Sequence, residues 1–412
     1  MTEVRIREIA AGGDGVGRLD DGIAVFVPRT APDDLVEIEL TARKPRYARG
    51  RVVRIMAPSP HRVPPPCPHY EGDACGGCQI QHLTPEAQLA AKRAIVREAL
   101  RRIGRIPLED VEIVPAAQAW QYRTTLTLAM DEAGRIGLHP WDRPDAVFPL
   151  DDCGITRAPL MRLWQGLKGH TGLLPPHTTH LVMREDRNGG AHLLVRGGHP
   201  PWSAAPLARA LGDGAVALWW EPEDGAARVV AGSPTGFPAT AFAQGQPDLS
   251  DRIRQDAVAA LGDVAGLTVW DLYGGTGDGA RLLAARGARA WSVDANRSAV
   301  EWAARQPAPP GAPEGSPAYL EGRVEEVLHR LPEPQLVLLN PPRTGVGARV
   351  AAALNELGQA GRARRVAYVS CDPATLARDL GRMPAFRVAA VRAYDLFPQT
   401  AHVETLAALE AA

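Results

Sequence analysis

Over the first 57 residues, apolar and polar positions alternate in short runs, VRIREIA, GIAVFVP, DLVEIEL and GRVVRIM, broken by glycine and proline. A period of two predicts half-buried strands, and GGDGVG between them predicts a turn. Short strands this closely spaced predict a small β-barrel of oligonucleotide-binding size. The run MAPSPHRVPPPCP then acts as a stiff linker. Beyond it the period changes: Leu89, Ile95, Val96, Ala99 and Leu100 recur at helical spacing, which predicts a helix over Pro85 to Ile103. A mixed, strand-rich stretch occupies about 108–240. From 249 onward amphipathic stretches (249–262, from Gly279, 297–305, 347–360) alternate with buried-type runs: LTVWDLY, AWSVD, QLVLLN, RVAYVS and a last strand near Val403 to Ala407. That alternation predicts a doubly wound parallel sheet with ligands at the carboxyl ends of its strands. The expected fold class is multi-domain α/β. It has an N-terminal barrel over 1–57, a mixed α+β central region over 58–240 and a Rossmann-like domain over 241–412, with QPAPPGAPEGSP at 306–317 as a loop.

Composition narrows the function classes. With 45% hydrophobic and 23% charged residues and a net charge of -1, the 412-residue chain reads as an ordinary globular protein. No apolar stretch approaches the length of a membrane span, and Met1 to Ala10 is charged, so the expectation is a cytoplasmic protein without membrane contact. Five cysteines in a chain this long argue for metal binding or catalysis over a disulfide framework. Charge is unevenly placed. Between Thr41 and Tyr70 lie seven basic residues (Arg43, Lys44, Arg46, Arg49, Arg51, Arg54, Arg62) and no acid. A second cluster, Lys92, Arg93, Arg97, Arg101, Arg102 and Arg105, is opposed only by Glu98. Such clusters suit phosphate contacts, although a solvated helix face accounts equally for the second.

Three constellations carry chemistry. In VWDLYGGTGDGA a strand runs into a glycine turn and a helix start, where Gly275 and Gly277 would let the backbone approach a ligand and the helix end offers N–H groups. Glycine turns of this kind are common. The weight comes from Asp271 and Asp294 at two strand ends and the Asn340 run NPPR at a third, which together favour S-adenosylmethionine over a dinucleotide. The second constellation is Cys67, Cys75, Cys78 and the distant Cys153, spaced C-x7-C-x2-C before the fourth. Four thiolates accept either zinc or an iron–sulfur cluster. The third is Cys371 in VSCDPATLARD with Glu404 in FPQTAHVE. A lone cysteine is more often a small buried hydrophobe. A thiol and a carboxylate close in sequence, however, are the equipment for adding to an electron-poor ring and later removing a proton from it.

Taken together, these motifs are similar to those of the bacterial RNA uracil-5 methyltransferases of the iron–sulfur, TRAM-domain type, which modify 23S ribosomal RNA. The resemblance covers nearly the whole chain. The barrel resembles a TRAM domain, C-G-G-C the [4Fe-4S] motif, DLYGGTG the cofactor loop, SCDPATLARD the nucleophile loop and PQTAHVE the base motif. It implies Cys371 as nucleophile and Glu404 as general base. It also implies Cys67, Cys75, Cys78 and Cys153 as ligands of a [4Fe-4S] cluster rather than zinc, and Gln244, Tyr273, Asp278 and Asp294 as contacts of S-adenosylmethionine. The implied partner is RNA, 23S ribosomal RNA above all, and the implied state a monomer.

Three positions depart from the family pattern. Asn340 stands where aspartate is usual, Asp372 where asparagine is usual, and Gln246 where F-x-Q-x-N has its asparagine, while Phe242 and Gln244 fit. The extra charge of Asp372 would raise the pKa of Cys371. Two rivals remain in view. Amino-methyltransferases carry N-P-P-aromatic, but Arg343 occupies the fourth place here. A non-catalytic, redox-sensing RNA-binding protein would need the barrel and the four thiols but neither Cys371 nor Glu404. Transfer RNA is the alternative substrate.

Overall fold

The computed structural model describes every residue except 213, 233–236, 239–240 and 242–244. The described chain forms two units. One comprises Met1–Pro66, Cys78–Ala117 and Asp251–Ala412, and the other Cys67–Gly77 and Gln118–Ser250.

In the first unit, the N-terminal alternation becomes a six-stranded sheet in the order Thr2–Arg5, Leu35–Arg43, Tyr47–Ala57, Ala24–Val27, Gly15–Arg18, Glu8–Ile9. The outer two strands belong to one continuous segment, which closes the sheet on itself around Val4, Ile6, Val25, Val27, Val36 and Ile38. Register shifts in the long pair Leu35–Arg43 and Tyr47–Ala57 supply the bending that closure needs. The expected turn GGDGVG is only half a turn: its second half opens the strand Gly15–Arg18.

The same unit holds an eight-stranded sheet in the order Ala318–Glu321, Arg289–Asp294, Thr268–Leu272, Leu336–Leu339, Arg365–Ser370, Glu404–Ala411, Phe386–Tyr394, Glu112–Val114. The first five strands are mutually parallel, as the apolar runs predict. Buried on both faces, Leu272, Val293, Val337 and Leu339 are wholly inaccessible. Each such side chain contributes about 1.5–3 kcal/mol. The sheet is not parallel throughout. Glu404–Ala411 runs antiparallel to both Arg365–Ser370 and Phe386–Tyr394, because it forms a hairpin with the latter rather than returning through a helix. No sequence pattern marks Phe386–Tyr394, because exposed Arg387, Ala389 and Ala390 interrupt its apolar positions. The helix expected over Pro85 to Ile103 keeps regular hydrogen bonding only to Ala99. It then widens into a π turn, Leu100–Gly104, capped by Arg105 in the left-handed region.

The second unit is a seven-stranded sheet in the order Phe148–Pro149, Ile136–Leu138, Thr125–Met130, Thr178–Glu185, Ala191–Gly197, Val216–Glu221, Arg228–Ala231. The helix Ala158–Lys168 lays Leu160, Leu163, Trp164 and Leu167 into its core. Among the described residues no helix is long and apolar enough to cross a membrane.

Candidate active site

The order of the large sheet places its switch between Thr268–Leu272 and Leu336–Leu339, and a ligand cleft is expected beyond their carboxyl ends. There the glycine turn is built around a carboxylate. Asp271 is 2% exposed; its Oδ2 accepts the Ala280 N–H at 2.9 Å and the Ser292 hydroxyl at 3.1 Å. Burial pushes its pKa up to about 6 against these bonds. A Cβ on Gly274 would lie 2.6 Å from Asp271 Oδ2 and 2.1 Å from Ser292 Oγ, so glycine here makes room for the carboxyl. Asp271 is thereby a strut of the turn. From the next strand, Asp294 accepts the Gly275 N–H at 2.8 Å and the Asn296 N–H at 2.7 Å. Asp278 opens the helix Asp278–Ala285, with the Thr276 hydroxyl donating to it at 3.0 Å. Tyr273 is half-buried with φ of 61°, and burial raises its hydroxyl to about 12. Asn340 is exposed at the end of its strand, its N–H held by the Leu272 carbonyl. Tyr273, Gly275, Gly277, Asp278, Asp294 and Asn340 thus all sit at adjoining strand ends, whereas Gln244 and Phe242 lie outside the described residues.

Cys371 and Glu404 come together through register. Ser370 pairs with Thr405 in the antiparallel ladder, so the next residue on one strand faces the preceding residue on the other. Glu404 is 2% exposed, and its Oε2 has no hydrogen-bond partner among the described residues. Burial lifts its pKa to about 8, and Arg343 opposes that shift. Burial, then the Glu404 charge, push the Cys371 thiol above its ordinary value, with Arg343 again opposing. Asp372 adds to the rise, as its charge implies, but it also caps the helix Pro373–Gly381 by accepting the Thr375 N–H at 2.8 Å.

Arg343 is therefore a member of the site that sequence reading considered only as the wrong residue for an aromatic. The loop carrying it is fastened to the helix Pro373–Gly381 that follows Cys371. Buried Asp379 accepts the Val346 N–H at 2.9 Å and the Tyr368 hydroxyl at 2.7 Å, and Arg378 donates to the Thr344 carbonyl at 2.7 Å. The signal in the sequence is the Asp379 that ends SCDPATLARD, on the helical face of Leu376 and Leu380.

The cysteines are less well assembled. Cys75 and Cys78 are buried, while Cys67 and Cys153 are half-buried. The donor chemistry suits a thiolate-bound group, and the Gly77 N–H donates to Cys75 Sγ at 3.4 Å. Even so, among the described residues no three His, Cys, Asp or Glu side chains gather as a metal-holding group.

The basic stretch is more nearly neutral than its sequence implies. Arg43, Arg49, Arg51, Arg54 and Arg62 pair with Asp21, Asp14, Glu39, Glu37 and Asp34 from the preceding strands and turns. Lys92, counted in the second cluster, is fully buried and pairs with Asp395, so it meets no phosphate.

Comparison with known proteins shows the family. Residues 2–53 match the TRAM domain family, and residues 323–412, which hold Arg343, Cys371 and Glu404, match the tRNA (Uracil-5-)-methyltransferase family. A 23S rRNA (uracil(1939)-C(5))-methyltransferase of Halomonas elongata is 31% identical over 99% of this chain and 89% of its own length. The chain belongs to the RNA uracil-5 methyltransferase family. An uncharacterised RNA methyltransferase of Streptomyces coelicolor is 32% identical over 100% of this chain and 93% of the relative. The tRNA (uracil-54, C5)-methyltransferase of Pyrococcus abyssi, solved with S-adenosyl-L-homocysteine, has the same fold, with a TM-score of 0.73 at 24% identity and 99% of each chain covered. The enzyme is thus an S-adenosylmethionine-dependent RNA uracil-5 methyltransferase with an N-terminal TRAM domain.

Proposed function

We propose that this enzyme methylates C5 of a uridine in 23S ribosomal RNA, with Cys371 as nucleophile and Glu404 as the base that removes the C5 proton. The carrying observation is the register that sets Cys371 opposite Glu404 with Arg343 beside both. The thiol of Cys371 gives its proton to solvent and its sulfur adds to C6 of the uracil, moving the ring's electron pair onto C5 as an enolate. S-adenosylmethionine supplies the methyl group as an electrophile. Once C5 carries both methyl and hydrogen, the Glu404 carboxylate takes the proton. The C–H pair then restores the C5–C6 double bond and the sulfur leaves C6. Arg343 helps both groups ionise, its positive charge opposing the burial that disfavours their charged forms.

The strand-end residues Tyr273, Gly275, Gly277, Asp278, Asp294 and Asn340 would hold the cofactor, and Gln244, outside the described residues, is a further contact by family resemblance. Cys67, Cys75, Cys78 and Cys153 would hold a [4Fe-4S] cluster that stiffens the fold, since methylation needs no electron transfer. Iron and sulfide analysis of anaerobically purified protein tests that assignment: four of each per chain is the [4Fe-4S] expectation, and zinc or nothing would overturn it.

The deciding experiment incubates the enzyme with unmodified 23S ribosomal RNA, or with transfer RNA, and methyl-labelled S-adenosylmethionine, followed by nucleoside analysis. Label in 5-methyluridine of ribosomal RNA, lost in Cys371→Ala, is the expected result. Label only in transfer RNA would overturn the substrate, and label surviving Cys371→Ala would overturn the nucleophile.

A further inference from the structure

Glu404 opens its strand, so the direction of its carboxylate depends on how the preceding loop, Asp395 to Val403, enters the sheet. That loop is held by side chains and amides from a distant part of the chain. The N–H groups of Gln79 and Ile80 both donate to the Gln399 carbonyl, at 3.2 and 3.1 Å. Gln88 binds Gln399 reciprocally: its Oε1 accepts the Gln399 N–H at 3.0 Å, and its Nε2 donates to Gln399 Oε1 at 3.0 Å. Gln79 Oε1 accepts the Ala401 N–H at 3.3 Å. One helical turn after Gln88, Lys92 donates to the Asp395 carboxylate and, at 2.8 Å, to the Phe397 carbonyl.

Two features mark this as more than ordinary packing. Lys92 is 0% exposed. Burying a cation is costly in desolvation unless good geometry returns it, and its hydrogen-bond partners here belong to the loop before Glu404, with Cys78 also within electrostatic reach. Gln399 is also buried, with φ of 69°. A non-glycine residue in the left-handed region is strained, and it persists where its surroundings over-determine it. Here the peptide groups on both sides of Gln399 and its side chain are all engaged. The turn at Gly13 closes against the same point, since a Cβ there would lie 2.4 Å from Gln79 Cβ and 3.4 Å from Ala401 Cβ.

We propose that Gln79, Gln88 and Lys92 are positioning residues for the general base, holding the loop so that Glu404 reaches the C5 proton of the methylated adduct. The proposal rests on Glu404 being that base. None of the three residues touches Cys371 or the cofactor strand ends through any bond described above. Loosening them therefore slows proton removal while leaving sulfur addition and methyl transfer in place. A group whose job is alignment loses about 10- to 100-fold in rate when its frame shifts by an ångström.

The test compares Gln88→Met, similar in shape but without these hydrogen bonds, and the half-buried Gln79→Ala with Glu404→Gln and the unmodified enzyme. Each is mixed with unmodified 23S ribosomal RNA and S-adenosylmethionine, digested with nuclease, and its Cys371 peptide is examined by mass spectrometry. The expected result is a methylated uridine adduct accumulating on Cys371 in Gln88→Met and Gln79→Ala, with turnover down at least tenfold. RNA KM and S-adenosylhomocysteine affinity should stay within twofold. If Glu404→Gln accumulates the adduct and both glutamine variants turn over normally, the clamp is wrong and the base stands. A parallel fall of adduct and product in folded glutamine variants, checked by thermal melting, overturns it equally. Absence of the adduct in Glu404→Gln overturns the base and the clamp together.

Discussion

Glu404 shows how far one side chain's behaviour is set by its surroundings. A carboxyl whose pKa stands at about 8 holds its proton more tightly folded than unfolded, where it titrates near 4.5. Its raised pKa therefore adds stability that is fully present below pH 4.5 and lost as pH rises to about 8. Glu404→Gln removes the group that titrates. Relative to the unmodified enzyme, its melting temperature should climb between pH 5 and pH 8, by about 2 °C or more on the scale at which 1 kcal/mol moves a domain of this size. A difference that does not change with pH would mean that Glu404 ionises normally. The identity of this residue as a candidate base was legible from PQTAHVE, and Cys371 from SCDP, because each sits in a motif of fixed local spacing. Arg343 was not legible as their partner, since its loop joins them only across the sheet.

At the scale of elements, the inner parallel strands of the eight-stranded sheet announce themselves by continuous apolar runs, whereas Ala318–Glu321 and Glu112–Val114 carry no such signal, being short, at the sheet edges and not fully buried. The hairpin of Phe386–Tyr394 with Glu404–Ala411 was half found, because one strand is buried and the other carries exposed side chains. The loop after Leu336–Leu339 depends on a contact no local pattern reveals. Gly345 has φ of 76°, and a Cβ there would lie 2.1 Å from the buried Asp379 Oδ2. Gly345→Ala should destabilise the protein by about 1–3 kcal/mol, the usual cost of forced backbone or steric strain. It should also lower kcat by shifting Arg343 from Cys371. Chemical denaturation and steady-state kinetics check both, and a variant with full stability would show that the loop and Asp379 can separate freely.

Across the whole molecule, charge is where a linear reading misleads most. Seven basic residues between Thr41 and Tyr70 suggested a phosphate-binding stripe, yet the fold hands five of them acidic partners. Arg62 serves buried Asp34 through Nε and Nη2, with Asp34 also accepting the Ala31 and Ser59 N–H groups. Arg62→Ala should cost about 3–5 kcal/mol by stranding that carboxylate, with little change in how salt weakens RNA binding. Arg46→Ala, in exposed backbone between the two long strands, should leave stability unchanged and reduce the salt slope of RNA affinity by about one. Filter binding at several salt concentrations, with thermal melts, separates the two, and equal salt slopes would remove Arg46 from the RNA surface.

By itself the sequence determined the kind of the strongly patterned elements, in the barrel and the inner parallel sheet, and the candidate chemical groups, because periodicity, capping and motif spacing act within a few residues of chain. Tertiary structure decided which of those groups work together. The antiparallel return of the last strand sets Cys371 opposite Glu404, the Asp379 contact brings in Arg343, and a distant helix, through the 305-residue span from Lys92 to Phe397, holds the loop before Glu404. Each of these is a pairing between distant segments, whose free energy depends on burial and geometry that no local pattern encodes.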